Sequence, residues 1–155
     1  MIIWIFAAGL AYLIYKEFSK PKDFMSFRES LDLADLPIVT FKQGENKLNF
    51  ILDTGANKSV INKEDALTLK AEDLDTASKV IGIDGHVSHA PIKNIKFNYK
   101  NKQFEEEFQV LDISKTVKAY RTKKGVTIHG LIGNNFMQKY KYVLDFKEMI
   151  AYSKK

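Results

Sequence analysis

The chain has 155 residues, of which 45% are hydrophobic and 28% charged, a balance that excludes a disordered segment and indicates one globular domain. Its net charge of +5 is modest, and Lys and Arg alternate with Asp and Glu along the chain, which favours a solvated surface over a nucleic-acid site. It contains no cysteine, which excludes disulfides, cysteine-based zinc sites and thiol catalysis.

The first fifteen residues form an apolar run with no charged side chain. As a helix this run is about 22 Å long, somewhat short for a membrane span, which needs about 20 residues. We favour a membrane anchor, with Trp4, Tyr12 and Tyr15 as interfacial aromatics. A buried soluble helix would show a polar face, and a signal peptide would begin with a basic residue and end in small residues. Both stay open as alternatives.

The charges after the run predict its orientation. Lys16, Lys20, Lys22 and Arg28 follow it, and only the α-amino group precedes it. The positive-inside rule then places the rest of the chain on the cytoplasmic side of a single-pass anchor. The expected organisation is an anchor over 1–15, a juxtamembrane linker over 16–35 and one domain over 36–155.

The linker carries apolar residues at helical spacing. Phe24, Phe27, Leu31 and Ala34 recur every three or four residues, which predicts a short helix that ends before Pro37.

From residue 36 onward the pattern is that of a β protein. Short runs rich in β-branched and aromatic residues are separated by turn residues, and two hairpins are predicted, around 84–85 and 100–102. Asn62 predicts the start of a helix that runs to about residue 70. The predicted strands cover 36–42, 47–53, 58–61, 79–83, 86–90, 92–99, 103–113, 126–132, 142–146 and 149–152, with a second short helix over 134–139. The basic stretch 115–124 is interpreted as a solvated loop or strand end.

One turn has the features of a catalytic acid. The apolar strand 50–52 delivers Asp53 into the small-residue turn Thr54-Gly55-Ala56. Gly55 lets the backbone turn sharply so that amide groups point at the carboxylate, and the Thr54 hydroxyl is able to brace the turn. An ordinary Asp-Thr-Gly turn at a strand end is an equal alternative on these residues alone.

The flanking sequence resembles the retropepsin family, the retroviral type of aspartic protease. The apolar strand 50–52 leads into residues 53–61, which read DTGANKSVI: Asp-Thr-Gly-Ala, two further residues, and then a Ser and aliphatic residues. Residues 130–136 read GLIGNNF and are similar to the second element of the family, and 143–146 resemble the strand after it. A glycine-bearing hairpin over 80–87 lies where the family has its flap. The resemblance covers about 36–152 and implies a mostly β fold, a closed barrel that forms half of an acid protease, with two short helices.

The resemblance implies peptide hydrolysis by a water held between two aspartates. One carboxylate is ionised and acts as general base, and the other is protonated, because two close carboxylates share a proton. The chain has a single Asp-Thr-Gly, and Asp112 and Asp145 lack this context. The second Asp53 would therefore come from another copy, in a C2 homodimer that acts on peptide or protein substrates.

By the same resemblance, Asp53, Thr54 and Gly55 are the expected catalytic residues, with Thr54 bonding across the dimer axis. The expected substrate-binding residues are Ala56 and Asn57 in the cleft and Ile83, Asp84 and Gly85 at the tip of the flap. No cofactor and no metal are implied. His86 and His89 would lie on opposite faces of a strand, which argues against a metal site there.

Two positions depart from the retroviral pattern. Relatives carry an acidic residue after the Ala and a basic residue after the second-element Gly, and the two form an ion pair. Here both positions are Asn, Asn57 and Asn134, so we expect an amide pair. Two other functions stay open: a dimeric peptide-binding module without catalysis, and a membrane scaffold that only dimerises.

Overall fold

The computed structural model describes residues 2–18, 21, 23–81 and 87–153, and within them a mostly β protein. The strands are β1 (Phe24–Ser26), β2 (Ile38–Gln43), β3 (Asn46–Leu52), β4 (Ser59–Asn62), β5 (Ala71–Ile81), β6 (Val87–Tyr99), β7 (Lys102–Leu111), β8 (Gly130–Ile132), β9 (Tyr142–Asp145) and β10 (Ile150–Ser153). The helices are α1 (Ile2–Phe18), α2 (Arg28–Ala34), α3 (Lys63–Thr68), α4 (Ser114–Lys124) and α5 (Asn134–Lys139).

Seven strands form one curled sheet in the order β2-β3-β8-β4-β7-β6-β5. Strand β2 also pairs with β6 at Lys42 and Asn98, so the sheet bends back on itself. At its centre β8 runs parallel to β3 and antiparallel to β4. All four residues of β4 are buried, as expected for a strand with neighbours on both sides. The parallel pairing of β3 with β8 places the C-terminal ends of these two strands side by side.

A second sheet joins the two ends of the domain. Its order is β1-β10-β9, with Met25 paired to Ala151 and Ala151 paired to Leu144. Met25 and Phe27 are buried in the main core. The residues just before α2 thus contribute to the same core as the curled sheet.

Aromatic side chains fill the space inside the curled sheet. They alternate with exposed residues along their strands, as burial of one face requires. Phe41 lies at the centre, with its ring 5.0 Å from Phe97 and 5.9 Å from Phe104 between centroids. Phe136 of α5 packs on Phe104 at 5.3 Å. This contact fixes α5 against the sheet.

The prediction of a mostly β domain is confirmed, and two local predictions are wrong. One is the interpretation of the basic stretch 115–124 as a solvated loop or strand end, with only two helices after residue 36. The stretch is the helix α4, so the described residues hold three helices there. Asp112 accepts from the Ser114 amide at its start, Val117 is buried, and Gly125 ends it with φ of +68°. In the linker, the predicted helix is shorter, because Phe24–Ser26 is strand β1.

Helix α1 covers most of the predicted anchor. Among the described residues, no helix is both long enough and apolar enough to cross a membrane.

Candidate active site

Asp53 lies at the point where strand β3 leaves the sheet. Its amide N–H donates to the Ile132 carbonyl of β8, 2.9 Å away, so the parallel neighbour fixes its backbone. The residue before it, Leu52, is buried, and Asp53 itself is half-buried. The Asp53 carboxylate therefore lies in a defined position at the C-terminal end of β3.

The turn after Asp53 binds one of its carboxylate oxygens. The Gly55 amide donates to Asp53 Oδ1 at 2.8 Å, and the Ala56 amide donates to the Asp53 carbonyl at 3.3 Å. Within the described chain, Oδ2 accepts no hydrogen bond. One carboxylate oxygen is thus held by the backbone, and the other is available to a ligand.

Thr54 and Asn57 are exposed on the same loop. None of the described residues hydrogen-bonds to the Thr54 hydroxyl. The backbone carbonyl of Thr54 accepts from Asn134 Nδ2 at 2.7 Å. The expected amide pair between Asn57 and Asn134 is therefore wrong at the level of side chains. The Asn134 side chain reaches the backbone of Thr54, because the loop passes directly over the start of α5.

The amino end of α5 holds the loop through backbone bonds as well. The Asn134 amide donates to the Ala56 carbonyl at 2.8 Å, and the Asn135 amide donates to the Asn57 carbonyl at 3.3 Å. The loop of residues 53–58, hereafter the Asp53 loop, and the start of α5 therefore behave as one unit.

Gly133 makes this close approach possible. A Cβ at this position would lie 2.7 Å from the Lys58 carbonyl oxygen and 2.9 Å from the Ala56 carbonyl oxygen. Real Cβ contacts are not this short, so a side chain here would push α5 away from the loop.

Behind the loop lies a buried polar cluster of Ser59, Glu106 and Asn135. The Ser59 hydroxyl is 3.1 Å from both Glu106 Oε1 and Asn135 Oδ1, and it accepts from the Gly133 amide at 3.1 Å. Asn135 Nδ2 donates to Glu106 Oε1. Ser59 is fully buried and Glu106 is 2% exposed. The cluster links β4, β7 and α5.

Burial raises the pKa of Glu106 to about 7. The Ser59 hydrogen bond and the Lys139 ammonium, 4.0 Å from Oε2, act in the opposite direction and do not offset the loss of solvent. This carboxyl group therefore changes charge near neutral pH.

Sequence reasoning did not single out Glu106, although a signal was present. In the alternation of β7, Glu106 lies between Phe104 and Phe108, two positions to either side, and both are buried. A glutamate on the apolar face of a strand indicates a buried acid with partners.

The arms of the expected flap are present. Strand β5 pairs with β6 as far as Ile81 and Val87. The predicted tip residues Ile83, Asp84 and Gly85 lie outside the described residues.

Among the described residues, Asp112, Asp145 and His89 are not joined to Asp53. Asp145 Oδ1 accepts from backbone amides of its own turn, and Asp112 Oδ1 accepts from the Ser114 amide at the start of α4. His89 is exposed on β6, and His86 lies outside the described residues. In the part of the chain that the structure describes, no group of three or more acidic or histidine side chains is placed to hold a metal ion.

Comparison with known proteins gives a match to a family and matches to solved structures. The sequence model of the retroviral aspartyl protease family matches residues 34–145. Among solved structures, the chain is similar to the EIAV protease complexed with the inhibitor HBY-793, at 18% identity and a TM-score of 0.51. The match covers 72% of this chain and 93% of that protease, and at this identity it concerns the fold alone. No curated protein gives a match.

The approach of α5 to the loop predicts the effect of Gly133→Ala. The added Cβ must separate the two segments, so we expect a loss of about 1–3 kcal/mol in the free energy of unfolding. Denaturant unfolding measures it. Gly9→Ala in α1 is the control, because nothing lies within 4 Å of a Cβ there. A Gly133→Ala protein as stable as wild type would contradict this interpretation.

Proposed function

The chain belongs to the retroviral aspartyl protease family, and we propose that it is an aspartic endopeptidase whose active site forms between two copies of the chain. The observation that carries this proposal is the Asp53 loop. One carboxylate oxygen is held by the Gly55 amide, the other accepts no hydrogen bond from any described residue, and the sequence has no second Asp-Thr-Gly. Each copy thus supplies half of a site.

In the proposed mechanism, the two Asp53 carboxyl groups hold the attacking water between them. Close carboxylates cannot both ionise easily, so the pair keeps one proton. The ionised member takes a proton from the water, which attacks the peptide carbonyl, while the protonated member donates to the carbonyl oxygen. The Gly55 bond fixes the carboxylate for this role, because it prevents rotation of the side chain.

The neighbouring residues have separate proposed roles. The exposed Thr54 hydroxyl bonds across the dimer axis to the partner copy. Ala56 and Asn57 line the cleft and bind the substrate backbone. The tip of the flap closes over the peptide and excludes water.

The free edge of β9 supports dimer formation. Among the described strands β9 pairs only with β10, and its residues Val143 and Leu144 are half-exposed. An unpaired strand edge is a template for another chain. Two β9 edges paired antiparallel about a two-fold axis would give a symmetric interface. Strand β9 also follows α5, which holds the Asp53 loop.

The first test is the substitution Asp53→Asn. Because an amide cannot act as general base, we expect cleavage to fall by roughly 10³-fold or more. A peptide library digested by the full chain and read by mass spectrometry measures it. Asp32→Asn is the matched control, since Asp32 is exposed on α2, and it should cleave as wild type does.

Equal cleavage patterns from wild type and Asp53→Asn would contradict the protease proposal. Specific peptide binding by both proteins without cleavage would favour the alternative of a binding module on the same fold.

We further propose that α1 tethers the chain to a membrane surface on its cytoplasmic side. In support, Phe6, Leu10 and Leu13 are more than half exposed, and apolar side chains continue around the helix. A helix that is apolar on all sides is stable when it is buried, in protein or in lipid. Lys16 lies in the last turn of α1 and Lys20 follows the helix in sequence, which suits an anionic surface.

Flotation with anionic lipid vesicles tests the tether. We expect the full chain to float with the vesicles and a Leu10→Lys, Leu13→Lys variant to stay in the dense fraction, because charges in the apolar layer are costly. Leu67→Lys is the control, because Leu67 is 76% exposed on α3, and it should float. A wild-type chain that does not float would contradict the proposal.

A further inference from the structure

We propose that Glu106 is a positioning residue, which holds the Asp53 loop against α5 in its protonated form and releases this arrangement when it loses its proton. The proposal rests on the proposed function for its catalytic consequence. Its structural basis is the polar cluster of Ser59, Glu106 and Asn135, which lies directly behind the loop.

The first step is a choice between two acceptors. The Ser59 hydroxyl has one proton and lies 3.1 Å from both Glu106 Oε1 and Asn135 Oδ1. A carboxylate is the stronger acceptor, because hydrogen bonds to charged groups are stronger than neutral ones. When Glu106 is ionised, its carboxylate is the preferred acceptor of the hydrogen bond from the Ser59 hydroxyl. When Glu106 is neutral, Asn135 Oδ1 competes for that proton on more equal terms.

The second step carries this change to the loop. Ser59 follows the loop directly and accepts from the Gly133 amide at 3.1 Å. The side-chain amide of Asn135 donates to Glu106. Its backbone amide donates to the Asn57 carbonyl at 3.3 Å. A shift of either partner of Glu106 therefore moves a residue that is bonded to the loop.

The third step concerns the charges around Glu106. Lys139 of α5 lies 4.0 Å from Oε2, and its ammonium also donates to the Glu105 carbonyl at 2.6 Å. Lys58 of the loop and Glu107 of β7 also act on the Glu106 carboxyl group. An ionised Glu106 attracts Lys139 and Lys58, one from each segment that the cluster joins, but these attractions offset only part of the cost of burying the charge.

The pH range follows from burial. Burial raises the pKa of Glu106 to about 7, so the proton is held below that pH and lost above it. The charged form then lies in a buried site, where the loss of solvent costs more than the hydrogen bonds from Ser59 and Asn135 and the attraction of Lys139 return. The segments with freedom to relax are the start of α5 and the Asp53 loop, since β7 is fixed in the sheet. We therefore expect kcat to fall as pH rises through about 7, with little change in KM.

The experiment is a pH titration of the full chain followed by backbone amide NMR, from about pH 5.5 to about pH 8.5. In wild type we expect the amides of Gly55, Ala56 and Gly133 to shift with a midpoint near 7. Glu106→Gln keeps the shape of the neutral acid and should abolish these shifts. Glu107→Gln removes an exposed charge from the next position and should keep them.

The same proteins are compared in peptide cleavage. In wild type and Glu107→Gln, we expect kcat to decline near neutral pH. In Glu106→Gln, we expect the component of this decline that has the same midpoint as the amide shifts to be absent. The loss is expected in kcat rather than in KM, which separates positioning from a general loss of folded protein.

Two results would overturn the inference. One is a wild-type titration in which the loop amides do not shift near pH 7, which requires no variant to fold. The other is a Glu106→Gln protein whose loop amides titrate as in wild type. If no chain cleaves peptides, the proposed function fails, and the NMR titration still decides whether Glu106 controls the loop.

Discussion

The close contact between the Asp53 loop and the amino end of α5 is the constraint on which the site depends. Three backbone carbonyls of the loop accept from Asn134 and Asn135, at distances of 2.7 to 3.3 Å. The contact exists because Gly133 has no side chain. It also requires β3 and β8 to end side by side, which the parallel pairing of Ile51 with Leu131 provides. The position of the Asp53 loop thus depends both on the order of the strands and on Gly133.

The polar cluster behind this contact gives the loop a second support. A buried glutamate is costly unless its oxygens are bonded, and here Ser59 and Asn135 supply the bonds. The described structure leaves no buried side-chain nitrogen or oxygen without a partner. These bonds hold the members of the cluster in one arrangement, but a change of charge at Glu106 changes which of them are strongest.

Much of the fold was predictable from local patterns, and the exceptions have physical causes. Short runs rich in β-branched and aromatic residues predicted β2, β3 and β7, and each of these strands buries side chains in the aromatic core. Strand β1 was missed because its three residues are extended only through pairing with β10, more than a hundred residues away. Helix α4 was missed because it is rich in Lys and Arg and few apolar residues reveal its period. Its signals were Asp112, which accepts from the Ser114 amide at its start, and the terminal Gly125.

The Asp53 turn was identified from sequence because the residues around it and the later element 130–136 resemble the retropepsin family; on Asp-Thr-Gly alone, an ordinary turn was an equal alternative. The cluster of Glu106 was not, since its partners come from three separate segments. We propose that one chain carries half of a catalytic site. Wild type and Asp53→Asn, co-refolded in equal amounts, test it most directly through the cleavage rate per total protein. Random pairing leaves about one quarter of dimers with two aspartates, so the account predicts about one quarter of the wild-type rate. A rate of about one half would mean that each chain works alone, and would contradict it.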